Sequence, residues 1–263
     1  MSLPLIANYH THTYRCGHAS PASEREYVEK AISSGIKILG FSDHTPYPGT
    51  ENFPGRPGIR MDISELDGYC RTVLDLRDEY RDDIEIHLGL EVEYYPALFS
   101  GLMDQLRSRP IEYMLLGQHF TNNQNDGVHC GFPGEGILPK YTEQLICGLD
   151  TGMFTYVAHP DIVNHECDPE EYEMCMRRIC RKVNEYSLPL EINMLGLGTG
   201  RPYPYRRFWE IAASEGCKAI IGCDAHKPED VFHQELIDSA RALVSELGIE
   251  LLDTVPLKNP FSK

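Results

Sequence analysis

The chain has 263 residues, 41% of them hydrophobic and 24% charged, with a formal net charge of -16. That composition is ordinary for a globular protein. The acidic balance argues against a nucleic-acid surface or an anionic membrane as partner, because both need clustered Lys and Arg. It leaves room for a small phosphorylated substrate, since bound metal ions and a few arginines reverse the field inside one pocket. No segment approaches 18 consecutive apolar residues, and the N-terminus MSLPLIANYH lacks the basic start and long apolar run of a signal peptide. The nine cysteines are odd in number and form no CxxC pair, so they read as reduced thiols of a cytoplasmic protein, most of them small core packers.

Short β-leaning apolar runs recur along the chain at Ile6–Tyr9, Ile38–Ser42, Ile84–Leu90, Tyr113–Gln118, Phe154–Ala158, Leu190–Asn193 and Ala219–Gly222. Helical patterns separate them. Ser23 with Glu26 forms a capping box, and Gly35 ends that helix. Asp168-Pro169 supplies an N-cap and a first helical residue, after which Tyr172, Met176, Ile179 and Val183 make one apolar face. Leu236, Ala240, Leu243 and Leu247 repeat the pattern before Gly248. Strand and helix alternating in this way predict a parallel α/β protein, and about seven βα units fit a closed or slightly irregular β/α barrel better than two small domains. With no linker, internal repeat or compositional break, residues 1–263 read as a single domain. Long Gly- or Pro-rich loops at Thr45–Asp62, Thr121–Gly136 and Met194–Pro204 each follow a predicted strand, which is where a β/α barrel builds its active face.

The strand ends carry the chemistry. The first ends in HTH, giving His10 and His12, two apart and therefore on one side of the chain; His18 follows in the loop. The second gives Asp43 and His44, the third Glu91 and Glu93, the fourth His119, the fifth His159 with Asp161 close behind, and the seventh Asp224 and His226. Any one of these alone is incidental. Together, seven histidines and two carboxylates on one predicted rim offer imidazole nitrogen and carboxylate oxygen without thiolate, the donor set of borderline divalent metals. Nine donors exceed what one ion takes and suit two or three, with a carboxylate as bridge. Such a cluster generates a nucleophile from water at neutral pH and clamps an in-line displacement. That is hydrolytic chemistry of the kind phosphate esters require.

A phosphate ester also needs cations shaped to its oxygens, and Arg provides them bidentately. Arg201 and Arg60 lie in long loops on the predicted active face, and Arg15 lies between two of the histidines. Arg206 and Arg207 begin a helix and face water. His87 reads as a strand residue below the rim, His129 as a loop residue near solvent, and His165 and His233 as surface residues near helix starts.

The motifs HTH, CGHA at Cys16–Ala19, SDH at Ser42–His44, GLEVEY at Gly89–Tyr94, GQHF, AHPD and CDAH, in that order, resemble those of the PHP family, named for polymerase and histidinol phosphatase. RMDISELDGYC at Arg60–Cys70 and EINMLGLGTGRPYPYRRF at Glu191–Phe208 are similar to segments of its histidinol-phosphatase branch. The resemblance implies a distorted (β/α)7 TIM-like barrel with three divalent ions, zinc, manganese or iron. It puts His10, His12, Glu91 and Asp224 on the first, Glu91 as the bridge to a second held with His119 and His159, and His18, His44 and His226 on the third. It further implies hydrolysis of L-histidinol phosphate, a step of histidine biosynthesis. Arg201 then holds phosphate, Asp43 either handles a proton or orients His44, and Glu93 is a candidate for recognising the cationic part of the substrate. The alternatives are another small phosphate ester such as a nucleotide or sugar phosphate, an amidohydrolase-type barrel, and a non-catalytic metal-binding module. The amidohydrolase reading lacks a Lys at a middle strand end; the non-catalytic module commonly loses ligands that this chain keeps.

Overall fold

The computed structural model describes residues 5–47, 58–122 and 128–262. Parts of the first two long loops, at 48–57 and 123–127, lie outside the described residues. Eight parallel strands run in sequential order: β1 (Ala7–Asn8), β2 (Ile38–Phe41), β3 (Glu85–Val92), β4 (Tyr113–Leu116), β5 (Tyr156–Val157), β6 (Leu190–Asn193), β7 (Lys218–Gly222) and β8 (Glu250–Leu252). Helices α1 (Glu24–Ser33), α2 (Leu66–Glu79), α3 (Phe99–Leu106), α4 (Ile137–Asp150), α5 (Pro169–Glu185), α6 (Met194–Thr199), α7 (Arg206–Ser214) and α8 (Gln234–Leu247) connect them. The seven predicted strands are present, several of them shorter than read. The eighth is an addition: three residues after α8, ELL, pair with the start of β7.

Closure happens at the carboxyl ends. The chain beyond β1 meets the chain beyond β7 through a parallel bridge of Thr11 with Ala225, with His12 N donating to Ala225 O at 2.9 Å and Ala225 N to His10 O at 3.2 Å. Asn8 Oδ1 reinforces the seam by accepting from His10 N and Cys223 N. The seven-strand ring is thus drawn tight where the predicted ligands stand, while β8 splays off the opposite end. The segment after β8 contributes Val255 to the barrel interior, beside Ala7, Tyr9, Tyr113, Leu115, Tyr156, Ala158 and Ile220.

Local sequence explains the helix boundaries. The Ser23/Glu26 capping box is formed, and Asp168 accepts from Glu170 N and Glu171 N ahead of Pro169. Gly248 takes the left-handed conformation that ends α8. The predicted loop at Met194–Pro204 is corrected in its first half, which forms α6, capped by Asn193 Oδ1 accepting from Gly196 N.

One side chain spans the interior. Tyr113 is fully buried, and its hydroxyl donates to Tyr9 O at 2.7 Å and Phe41 O at 3.1 Å, tying β4 to the ends of β1 and β2. A Cβ at Gly40 or Gly89 would overlap the Tyr113 ring, so two neighbouring strands are cut back to admit it. Removing only the hydroxyl in Tyr113→Phe leaves two buried strand-end carbonyls short of a donor. Urea denaturation of this variant should show a loss of about 1–2 kcal/mol with an unchanged m-value; an unchanged midpoint would mean that the hydroxyl carries no net stability.

Candidate metal centre

Each strand end delivers its donors to one place. Glu91, at the penultimate position of β3, is the centre. Its Oε1 is 2.7 Å from His159 Nε2 and 3.8 Å from His119 Nε2. Its Oε2 is 2.9 Å from His44 Nδ1 and 3.6 Å from both His10 Nε2 and His12 Nε2. Asp224 Oδ1 is 3.1 Å from His12 Nε2 and 3.6 Å from His10 Nε2. At the rim, His18 Nε2 faces His226 Nε2 at 3.0 Å, and these two form a possible coordination triad with His44. All nine predicted ligands belong to such overlapping triads, which also include His10–His12–Glu91, His10–His159–Asp224 and His44–Glu91–His119. His159 and Asp224 have positive φ, 30° and 50°, a conformation that costs non-glycine residues energy and clusters at functional sites.

The donor set fits divalent ions. Glu91 Oε2 is buried without a hydrogen-bond partner although three ring nitrogens surround it. His10 and His12 point their Nε2 atoms at each other at 3.1 Å. Anionic oxygens and ring nitrogens converging in this way make a donor set suited to a divalent cation. The surroundings of the individual histidines show the same imbalance. Burial lowers His12, but hydrogen bonds to Asp224 and Asp43 outweigh it and push it up to about 9. Burial dominates at His44 and His226, which fall to about 4 and about 3.

Carboxylates and amides set the ligands from behind. Glu191, fully buried on β6, has its Oε1 2.7 Å from His10 Nδ1, and its Oε2 accepts from His159 N and from Asn193 Nδ2. Asn193 Nδ2 also lies 3.0 Å from Asp224 Oδ2. The sequence reading missed both residues, because β6 ends in no histidine. The available signal was a Glu and an Asn inside the apolar strand LEIN. Asp43 is fully buried; it accepts from Thr13 and from His44 N, and its Oδ1 is 3.5 Å from His12 Nδ1. It therefore stands behind His12, not beside the His44 ring, and does not reach the pocket. Asp161 is likewise no ligand: it faces Tyr205 and Trp209, and burial pushes its carboxyl up to about 7.

The open side is a cavity of about 910 Å³, its solvent mouth included, lined by six of the candidate ligands (His18, His44, Glu91, His119, Asp224 and His226) together with Ile59, Arg60, Glu93, Phe120, His129, Leu195, Arg201 and Tyr203. Only some of the predicted substrate groups are available there. Arg201 is exposed, with Nη1 donating to Tyr203 Oη at 2.8 Å. Arg60 reaches the pocket, but its guanidinium is spent on Glu93 Oε2 and Thr45 O. Glu93 in turn accepts from His119 N at 3.1 Å and lies 3.4 Å from His119 Nδ1. Burial would raise the Glu93 carboxyl; Arg60 and His119 outweigh it and hold it well below the usual range. Arg60 and Glu93 are thus a buried pair bracing His119, where the sequence reading had them meet substrate. Arg15 is corrected too. The 3₁₀ turn at Tyr14–Cys16 directs it away from the pocket to Glu24, near Thr72 and over the Tyr14 ring. His129, read as a solvent residue, lines the cavity, with Nδ1 accepting from Gly131 N.

Two glycines make this packing sterically feasible. A Cβ at Gly117 would overlap the Glu91 carboxylate, and one at Gly222 would overlap that of Glu191. Gly117→Ala is therefore expected to displace Glu91 and strip metal from the purified protein, measured by elemental analysis, while far-ultraviolet circular dichroism stays unchanged. Full metal occupancy in this variant would show that Glu91 is not confined as described.

Comparison with known proteins agrees in family and fold. The PHP domain model matches residues 8–195. The histidinol-phosphatase of Bacillus subtilis (strain 168) is 34% identical over 254 residues, spanning 84% of this chain and 94% of that protein. A protein of Deinococcus radiodurans named "Probable histidinol-phosphatase" is 25% identical over 243 residues, spanning 86% and 88%. Among solved structures, histidinol phosphate phosphatase from Lactococcus lactis subsp. lactis Il1403, complexed with zinc, L-histidinol and phosphate, superposes with a TM-score of 0.73 at 20% identity over 97% of this chain and 100% of that one.

Proposed function

This chain belongs to the PHP domain family, and from that premise we propose that it is a metal-dependent histidinol-phosphatase, hydrolysing L-histidinol phosphate to L-histidinol and phosphate. The observation that carries the reading is the grouping of nine imidazole and carboxylate donors, Glu91 among them, into overlapping triads in a chain 34% identical to a histidinol-phosphatase along most of its length. The relative of known structure that holds zinc, histidinol and phosphate supports the same substrate class, a small phosphate monoester. Among the described residues no helix is long and apolar enough to cross a membrane, and we propose a cytoplasmic site of action.

The proposed centre takes three divalent ions, with zinc the first choice. His10, His12 and Asp224 would hold one. Glu91 would bridge it to a second on His119 and His159, and His18, His44 and His226 would hold the third. When bound, such ions supply positive charge to phosphate oxygens and lower the pKa of water to near neutrality. The protein's own groups do the rest. Glu191 fixes the orientation of His10, Asp43 that of His12, and Glu93, neutralised by Arg60, that of His119; partners of this kind orient ligands and raise their basicity. Arg201 and the Tyr203 hydroxyl meet the phosphate oxygens that face away from the ions and offset charge as it builds in the transition state. Ile59, Phe120 and Leu195 give the organic part of the ester an apolar wall.

Metal-loaded protein should release phosphate from L-histidinol phosphate with kcat/KM of about 10⁴ M⁻¹s⁻¹ or more, well above its action on p-nitrophenyl phosphate and a nucleotide monophosphate. Chelation should abolish the activity and metal should restore it. Glu91→Gln, which keeps shape but loses charge, should lower both turnover and metal content. Slow, even hydrolysis of all three esters would retain the metal-dependent phosphatase and reject the substrate. Full activity of Glu91→Gln would reject the role given to Glu91.

A further inference from the structure

Asp161 follows the ligand His159 by two residues and is 1% exposed. Its Oδ2 accepts from the backbone N–H of Tyr205 at 2.6 Å and from the indole Nε1–H of Trp209 at 3.1 Å. Oδ1 has no hydrogen-bond partner. Tyr205 is the N-cap residue of α7 and ends the arm 201–205, which carries Arg201 and Tyr203 into the pocket. The arm is anchored at its other end as well. Arg201 N donates to Gly196 O at 3.1 Å, and Tyr203 packs so closely on Gly196 that a Cβ there would overlap its ring.

We infer that Asp161 is a positioning residue that clamps the 201–205 arm to the loop bearing His159, setting the distance between the phosphate-binding pair Arg201–Tyr203 and the metal centre. This rests on the role proposed above for Arg201. The His159 ligand does not depend on the clamp, because its backbone N–H is held by Glu191 and its ring faces Glu91. Loss of Asp161 therefore frees the arm and spares the ligand. Both clamp bonds are donated to Asp161, so what the position requires is an acceptor oxygen, which Asn also provides. Trp209 is the sole tryptophan of the chain and shares the acceptor with the arm, so its fluorescence reports the state of the clamp.

The test uses the full-length, metal-loaded protein with inorganic phosphate as probe. Phosphate affinity is measured by calorimetry, metal content by elemental analysis, and the emission of Trp209 with and without phosphate. Asp161→Ala should weaken phosphate binding about tenfold or more, raise KM for the ester more than it lowers kcat, and erase any phosphate-dependent change in Trp209 emission, with metal content unchanged. Asp161→Asn should restore phosphate affinity. Wild-type phosphate affinity in Asp161→Ala, metal loss in parallel with the weaker binding, or no rescue by Asn would each overturn the clamp. Phosphate calorimetry does not depend on which ester is hydrolysed, so a wrong substrate assignment fails in the turnover assay alone.

Discussion

Carboxylates sealed among imidazoles set the terms for the rest of this structure. Glu91 and Asp224 are almost wholly inaccessible, and a buried anion is costly unless it is paired and hydrogen-bonded. The surrounding histidines cannot all supply that pairing as imidazolium ions, because they also surround one another: the charge of His12 is among the influences that lower His18, His44 and His226. Divalent ions resolve both problems at once, since each is attracted by the carboxylates and coordinated by neutral ring nitrogens. The outer histidines, held below their ordinary pKa, are in the right protonation state to coordinate. His10 and His12, drawn up by the acids, would have to be neutral to hold a metal.

The barrel supplies the geometry for that arrangement. Parallel strands bring every carboxyl end to one rim, so donors distant in sequence meet without long loops. Drawing the seven strands together at this end, through Thr11 with Ala225 and through Asn8, brings the first and last ligand pairs into contact. The cost is steric. Glu91 and Glu191 lie in the ring itself, and their carboxylates fill the space that a side chain at Gly117 or Gly222 would need. Tyr113 fills the interior below and needs Gly40 and Gly89 for the same reason. Glycines in strands normally weaken them; here they mark where a functional or packing side chain from the neighbouring strand crosses.

The candidate ligands were legible in the sequence because they obey two simple regularities. HxH and DxH at strand ends project donors to one side, and alternation of strand and helix says that all such ends share a rim. The supporting residues obey neither. Glu191 and Asn193 sit on a strand that ends without a histidine, and their role exists only through contacts with β1, β5 and β7. The arginines were the hardest to place, because a long side chain reaches in several directions and its partner decides which. Arg15 found Glu24, Arg60 lines the cavity but pairs with Glu93, and Arg201 faces the cavity beside Tyr203. The eighth strand, three residues long, fell below what periodicity resolves. So did α6, whose glycines mimic a loop while Asn193 caps it as a helix.

The site is thus assembled from two bodies with different rigidity. The ligand cluster is built on strand ends that hydrogen-bond to one another and is braced by Glu191, Asn193, Asp43 and Glu93, so little can move there without breaking several bonds. The arm with Arg201 and Tyr203 is a short segment between α6 and α7, attached through Gly196 at one end and Asp161 at the other. In the proposed mechanism, transition-state stabilisation needs both bodies at once, since charge developing on the phosphate would be shared between ions on one side and guanidinium on the other. A misplacement of one body by about 1 Å costs as much as losing a group. The carboxylate two residues beyond a candidate ligand histidine is therefore placed where it matters most, at the joint that ties the arm directly to the loop bearing His159.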